Sequence, residues 1–261
     1  VSAGKMFGDS AAPTGAMSFG SLTIASGAEF RATSATTTIT NKNGSNYIID
    51  IDGIFIHNSG TVYIDTSVTG DKLLDLIPSS GVGLNHLIVN EDGSGVIQYN
   101  GNTTIAGDLT IEEGTLHGYD YNNSELTVTG GVTIEDGGTL GVTNQTGAYS
   151  FGSLTINSGG TFIATSGETS ITGAGGLSRA GTFTHNNGTV DFEAATTVIQ
   201  STTMTGSNAF YILKSTGTTW YRIDQDIDIE RHASTGYVFW FYGDVTVTMG
   251  TDTHSSGTDN S

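Results

Sequence analysis

An eight-residue motif, Gly-x-(Leu/Val)-Thr-(Ile/Val)-x-x-Gly, recurs along the chain and limits the folds that the chain can adopt. Its copies begin at Gly20, Gly107, Gly130, Gly152 and Gly243. The three middle copies follow one another at a unit of about 22 residues, and the outer intervals are each about four such units. A longer stretch, SFGSLTIASGAEFRATSATTTIT from Ser18, nearly recurs as SFGSLTINSGGTFIATSGETSIT from Ser150, about six such units later. A regular period of this length indicates an array of short, similar units.

Each unit has the pattern of a short β-strand followed by a turn. Leu-Thr-Ile alternates apolar and polar residues, as a strand with one buried face does. Gly, Asn and Ser cluster between the strands, where tight turns need them. The sequence therefore predicts an all-β protein, a parallel β-solenoid (β-helix) with about 22 residues per coil. Equivalent apolar residues are expected to stack from coil to coil: Leu22 and Ile24, Leu109 and Ile111, Val132 and Ile134, Leu154 and Ile156.

A pair of tandem β-sandwich domains is the alternative fold, because the long near-repeat alone would permit it. The even spacing of Gly107, Gly130 and Gly152 favours the solenoid. We expect a solenoid over residues 18–250, made of superrepeats 18–149 and 150–250. Residues 1–17 are then an N-terminal cap or joining segment, and residues 251–261 a C-terminal tail or linker.

Composition and charge exclude several classes of protein. The net charge is −18, from 8 basic and 26 acidic residues, which disfavours nucleic-acid binding and leaves room for divalent cations. Cys is absent, which rules out disulfides and thiolate metal sites. No apolar run is long enough to cross a bilayer as a helix, so no membrane-spanning helix is expected.

The repeated units resemble β-solenoid segments of bacterial extracellular adhesins and autotransporter-type passengers, and they are similar to phage tail-fibre proteins. The resemblance rests on the GSLTI-type units and on GTFTHNNGTVDF from Gly181. It implies an extracellular or cell-surface location, or alternatively a virion tail, with a role in adhesion or scaffolding. It supplies no set of catalytic residues.

An acidic segment, WYRIDQDIDIER from Trp220 to Arg231, is the first candidate site. On one continuous strand its acidic residues would line a single face, about 6.6 Å apart. Carboxylates so placed suit Ca²⁺, which takes about 6–8 oxygen ligands. A solvated strand face is the alternative, and a lyase-like catalytic face is a further one. The tentative calcium ligands are Asp224, Asp226, Asp228 and Glu230.

Aromatic residues near the C-terminus form the second candidate site. GYVFWFYGD, from residue 236 to residue 244, follows the acidic segment closely. Exposed aromatic rings suit a protein interface or a sugar ring, whereas rings buried at the end of the rod would need no ligand. The residues concerned are Trp220, Trp240 and Tyr242. His57 and His185, in FIHNSGTV and FTHNNGTV, are interpreted as repeated turn residues and not as metal ligands.

These patterns predict a non-catalytic extracellular structural protein, a segment or subunit of a surface fibre, filament or adhesin. Its partners are expected to be copies of itself, joined end to end, or neighbouring repeats of a longer chain, with surface glycans as a further candidate. No cofactor other than Ca²⁺ is expected. The alternative is a tail-spike-like β-helix that binds or cleaves glycans.

Overall fold

The chain is a parallel β-solenoid with about 23 residues per turn. The structure, a computed structural model, describes residues 5–6, 13–76, 83–120, 124–195, 198–200, 202–217, 221–235 and 239–250. Every strand pairing among these residues is parallel. This pattern excludes the tandem β-sandwich alternative, because sandwich sheets are built from antiparallel strands.

The described residues form 27 short strands and one 3-10 turn at Gly206–Asn208. The strands are β1 (Lys5–Met6), β2 (Met17–Phe19), β3 (Leu22–Ile24), β4 (Glu29–Arg31), β5 (Thr36–Ile39), β6 (Tyr47–Ile51), β7 (Ile54–Ile56), β8 (Thr61–Thr66), β9 (Lys72–Asp75), β10 (His86–Glu91), β11 (Ile97–Asn100), β12 (Thr103–Ile105), β13 (Leu109–Gly118), β14 (Leu126–Ile134), β15 (Gly138–Leu140), β16 (Tyr149–Ile156), β17 (Thr161–Ile163), β18 (Glu168–Ile171), β19 (Leu177–Arg179), β20 (Thr182–Thr184), β21 (Thr189–Phe192), β22 (Val198–Gln200), β23 (Phe210–Ser215), β24 (Tyr221–Ile223), β25 (Ile227–Thr235), β26 (Phe239–Phe241) and β27 (Val247–Met249).

Most of the described strands stack into three faces, and the chain visits the faces in the same order from β2 to β9 and from β10 to β21. Face 1 contains β2, β5, β8, β10, the start of β13, the ends of β14 and β16, and β19. Face 2 contains β3, β6, β9, β11, the end of β13, β15, β17 and β20. Face 3 contains β12, the starts of β14 and β16, β18, β21 and β23. By chain order, β4 and β7 also belong to face 3.

The core is a set of apolar columns that run along the axis. Ile111, Ile134 and Ile156 pair in register and are at most 1% exposed, which confirms the predicted stacking. Burying such a side chain contributes about 1.5–3 kcal/mol. The inward column of face 1 is Phe19, Ile39, Ile64, Val89, Ile111, Ile134 and Ile156.

The N-terminal copy of the motif does not join this column, contrary to the sequence-based expectation. Leu22 and Ile24 lie on face 2, where they pair with Ile49 and Ile51. Successive positions of the face 1 column are unevenly spaced along the chain near the N-terminus and almost evenly spaced in the middle. Because the first turns differ in length from the later ones, the two copies of the long near-repeat are not separated by a whole number of turns.

Hydroxyl side chains form ladders on the outside of all three faces in the middle of the chain. The outward residues of adjacent coils pair in register and are partly or fully exposed. The ladders are Thr110, Thr133, Thr155 and Ser178 on face 1; Thr115, Thr139, Thr161 and Thr182 on face 2; and Thr104, Thr127, Ser150 and Ser170 on face 3.

The two histidine-containing turns have the same geometry. His57 Nδ1 accepts a hydrogen bond from the Ser59 backbone N–H at 2.9 Å, and His185 Nδ1 accepts one from Asn187 at 2.9 Å. The interpretation of both histidines as turn residues is confirmed. Gly188 closes the second turn, where a Cβ atom would lie 1.9 Å from the Thr165 carbonyl oxygen of the preceding coil.

The proposed boundary between residues 149 and 150 falls inside β16, so the stacking continues across it. Residues 251–261 and most of residues 1–17 lie outside the described part of the chain. Within that part, no helix is long and apolar enough to cross a membrane.

Candidate functional site

The acidic segment is divided between two strands that belong to different stacks. β24 ends at Ile223 and β25 begins at Ile227. β24 pairs with β22 and β26, whereas β25 pairs with β23 and β27. The expectation of one continuous acidic strand face is therefore wrong, because the chain turns a corner at residues 224–226. The exposed Gln225, which breaks the apolar alternation, lies in the middle of that corner.

Three of the four acidic side chains contact neighbouring coils. Asp226 Oδ1 accepts a hydrogen bond from the Thr246 backbone N–H at 2.7 Å. Asp228 Oδ2 accepts one from the Gly206 N–H at 2.9 Å. Glu230 Oε1 lies 3.1 Å from Nε2 of His185. Asp226 and Asp228 thus bond to adjacent coils and Glu230 to a residue two coils away, and the use of these carboxylates as calcium ligands stays a prediction.

The fourth acidic residue, Asp224, pairs with Arg222. The Arg222 Nε atom donates to Asp224 Oδ1 at 2.7 Å, and Nη2 donates to Oδ2. These bonds lower the pKa of Asp224 and raise the pKa of Arg222, so both groups stay charged. The Arg222 guanidinium also lies 4.7 Å from the centre of the Tyr242 ring, within the range of a cation–π contact.

The aromatic candidates are only partly described. Tyr242 is 58% exposed. Trp240 lies in β26, in register with Arg222, and its side chain is outside the described part of the structure. Trp220 also lies outside the described residues. Tyr242, Arg222 and Asp224 together therefore offer an exposed ring, a planar cation and a carboxylate at the C-terminal end of the described solenoid.

A group of three carboxylates on face 3 was missed by the sequence reasoning. Among the described residues, the oxygens of Glu168, Asp191 and Glu193 lie within 4.8 Å of one another. Lys214 Nζ is 2.7 Å from Glu168 and 3.3 Å from Asp191, and these contacts raise the pKa of Lys214. The lysine already supplies a positive charge to this group, which joins side chains of three successive coils. Because Glu168 and Lys214 lie far from Asp191 and Glu193 in sequence, only the strand register could have brought them together.

A second acidic group lies on the outside of face 2. Asp50 pairs in register with Asp75, and Asn100 Nδ2 donates to Asp75 Oδ2 at 3.0 Å in the next coil. Burial raises the pKa of Asp50, and the charges of Asp52 and Asp75 raise it further. Burial also raises the pKa of the nearby Tyr47 hydroxyl, with Asp75 as the next cause. Burial and the two neighbouring carboxylates therefore disfavour the ionised form of Asp50.

Comparisons of the chain with protein families, characterised proteins and solved structures found no match.

Proposed function

We propose that the chain is a non-catalytic structural segment, a stiff rod within an extracellular or cell-surface fibre, filament or adhesin. Its partners are coils that continue the solenoid, supplied by a second copy or by neighbouring repeats of a longer chain. The ends of the stack carry this proposal. Among the described strands, β2 pairs only with β5, and β27 pairs only with β25. Strands with one unpaired edge are templates for further parallel pairing.

The side chains at both ends also suit a continued stack. Met17 and Phe19 in β2, and Val245 and Val247 near the C-terminal end of the described chain, pack against the core but are only partly buried. Met249, in β27, is 48% exposed. A following coil would cover these apolar groups in the way that interior coils cover one another. Such head-to-tail contacts do not close on themselves, so they generate filaments.

The test is the association state of the chain as a function of concentration. Sedimentation velocity and negative-stain electron microscopy should show particles that lengthen along one axis as the concentration rises. Met249→Asp places a charge on the C-terminal end and should keep the protein monomeric. The matched control is Thr155→Asp, on the outer side of face 1, which should lengthen like the original chain.

Two results would overturn the proposal that separate copies of the chain join end to end. One is a strictly monomeric protein at all concentrations. The other is an equal loss of association in Met249→Asp and Thr155→Asp, because association would then depend on the side of the rod and on overall charge. Circular dichroism of each variant establishes that the strand content is unchanged.

A tail-spike-like role in binding or cleaving glycans is the second candidate function. The exposed Tyr242 ring beside Arg222 and Asp224 favours it, because sugars stack on aromatic rings and bond to charged planar groups. Incubation with a panel of polysaccharides, with and without Ca²⁺, separates binding from cleavage. Chain shortening that is lost in Asp226→Ala would favour this function over the structural one.

A further inference from the structure

A groove of about 300 Å³ lies on the outside of face 1, where three successive coils meet. Its walls come from β8, β10 and the residues at the start of β13. Thr61 and His86 are register neighbours in one row, and Ile88 and Thr110 are register neighbours in the next row. The lining residues are Thr61, His86, Leu87, Ile88, Asp108 and Thr110.

A backbone hydrogen bond determines which ring nitrogen of neutral His86 carries the proton. The Asp108 backbone N–H donates to His86 Nδ1 at 2.9 Å. A nitrogen that accepts a hydrogen bond carries no proton, so the proton of the neutral ring is on Nε2. Nε2 is then a hydrogen-bond donor. In this state it offers no lone pair to a metal ion or to a reacting proton.

The Asp108 carboxylate lies on the Nδ1 side of the same ring, with Oδ2 3.3 Å from His86 Nδ1, and supplies hydrogen-bond acceptors to the groove. Its Oδ1 atom accepts a hydrogen bond from the Gly131 backbone N–H at 2.9 Å, which holds the side chain in place. The side chain is 61% exposed. The Thr61 and Thr110 hydroxyls can each donate and accept. The groove thus combines hydrogen-bond donors and hydrogen-bond acceptors with the apolar surface of Ile88.

Glycines keep this groove open. A Cβ atom at Gly107 would lie 2.6 Å from Nδ1 and Cε1 of the His86 ring, so a larger residue would displace the ring. Gly131 follows Asp108 in the next coil and adds no side chain next to the carboxylate.

We propose that this groove binds one sugar unit of a neutral glycan. A sugar ring presents adjacent hydroxyls, which both donate and accept, and C–H groups that pack on an apolar side chain. The net charge of −18 and the exposed Asp108 disfavour an anionic ligand. A volume of about 300 Å³ is at the lower end of the range for ligand sites, which suits a single ring at a chain end or branch. The inference does not depend on the association of the rod ends.

The test is a titration followed through the His86 ring by NMR. The probes are the methyl β-glycosides of glucose, galactose and N-acetylglucosamine. At least one should shift the His86 Cε1–Hε1 signal saturably, with a Kd of about 1 mM or tighter. Thr110→Val should weaken that binding about fivefold, because one hydrogen bond is lost, and Thr110→Ser should retain it.

Thr133→Val is the matched control, since Thr133 follows Thr110 in the same hydroxyl ladder but lies outside the groove. It should bind the glycoside as the original chain does. The proposal is overturned if none of the three glycosides shifts the His86 signal at about 20 mM, well above the expected Kd. It is also overturned if Thr133→Val and Thr110→Val lose affinity equally.

Discussion

The buried ion pair between Lys72 and Glu91 offers the sharpest test of how this solenoid is held together. Lys72 Nζ lies 2.7 Å from Glu91 Oε1, and the two side chains are 0% and 1% exposed. Lys72 Nζ also donates to the Gly70 carbonyl oxygen at 3.0 Å. Lys72 is in register with Ile97, whose side chain is fully buried, so the lysine occupies a position that a neighbouring coil fills with an apolar residue.

Removing one partner should cost much more than removing both. Glu91→Gln leaves the Lys72 ammonium buried without a counter-charge, and breaking a buried pair in this way costs about 3–5 kcal/mol. The double variant Lys72→Met/Glu91→Met replaces the pair with apolar side chains of similar length, and its stability should lie within about 1 kcal/mol of the original chain. Glu29→Gln is the control. It breaks the Glu29–Arg31 pair, whose side chains are 16% and 27% exposed, and should cost about 1 kcal/mol or less.

The assay is urea unfolding followed by circular dichroism, together with amide hydrogen exchange. Hydrogen exchange is needed because a solenoid can lose neighbouring coils before it unfolds completely. Glu91→Gln should raise exchange first in β9, β10 and β11, which surround the pair. A cost below about 1 kcal/mol for Glu91→Gln would refute the reasoning, as would a double variant as unstable as the sum of the single ones.

Three further predictions concern the turns and the core. Gly188→Ala should destabilise the protein by about 1–3 kcal/mol in urea unfolding, because the new Cβ atom would clash with the Thr165 carbonyl oxygen. The control is Gly44→Ala, where a Cβ atom would have no neighbour within 4 Å. It should change the free energy of unfolding by less than about 0.5 kcal/mol. Ile134→Ala should cost about 2–5 kcal/mol, and a cost similar to that of an exposed substitution would contradict the stacked core. Burial and the nearby His86 lower the pKa of His57, so its contribution to stability is present above the unfolded value of about 6.5 and is lost as the pH falls towards the folded pKa. The fall in Tm between about pH 7 and pH 5 should therefore be smaller in His57→Asn, which keeps a hydrogen-bond acceptor for the turn. If the pH dependence of Tm is the same in this variant as in the original chain, His57 is not responsible for it.

The period of the sequence was sufficient to predict the solenoid but not the face on which each motif lies. MSFGSLTI, at residues 17–24, runs from face 1 to face 2, whereas YSFGSLTI, at residues 149–156, runs from face 3 to face 1. FIHNSGTV and FTHNNGTV are displaced in the same way, since Phe55 lies in β7 on face 3 and Phe183 lies in β20 on face 2. Similar sequence therefore marks a similar corner. The three corners of a turn are alike enough locally that one motif fits more than one of them.

The candidate sites were harder to predict, because they depend on which residues of different coils are neighbours. The alternation of apolar and acidic residues in the acidic segment predicts one strand. The chain instead turns at Gln225, and Asp226 and Asp228 bond to neighbouring coils. Lys214 and Glu168 are two coils apart, and their contact follows from turn lengths that the motif spacing does not reveal. Alternation of apolar and polar residues identifies which side chains of a strand point inward and outward, but it does not reveal where the chain turns a corner between strands.

The groove on face 1 lies where the length of a turn and the outward residues of the face both depart from the regular repeat. Between Ile39 and Val89, successive positions of the inward column are farther apart along the chain than they are after Val89. The outward row of hydroxyl residues on face 1 is interrupted at the same place: Ser18 and Thr38 are followed by Tyr63 and Ile88, and hydroxyl residues resume at Thr110. Identical coils present the same surface at each step and give a partner no reason to prefer one position along the rod. A binding site specific to one position must therefore come from a departure from the repeat, and this groove is such a departure.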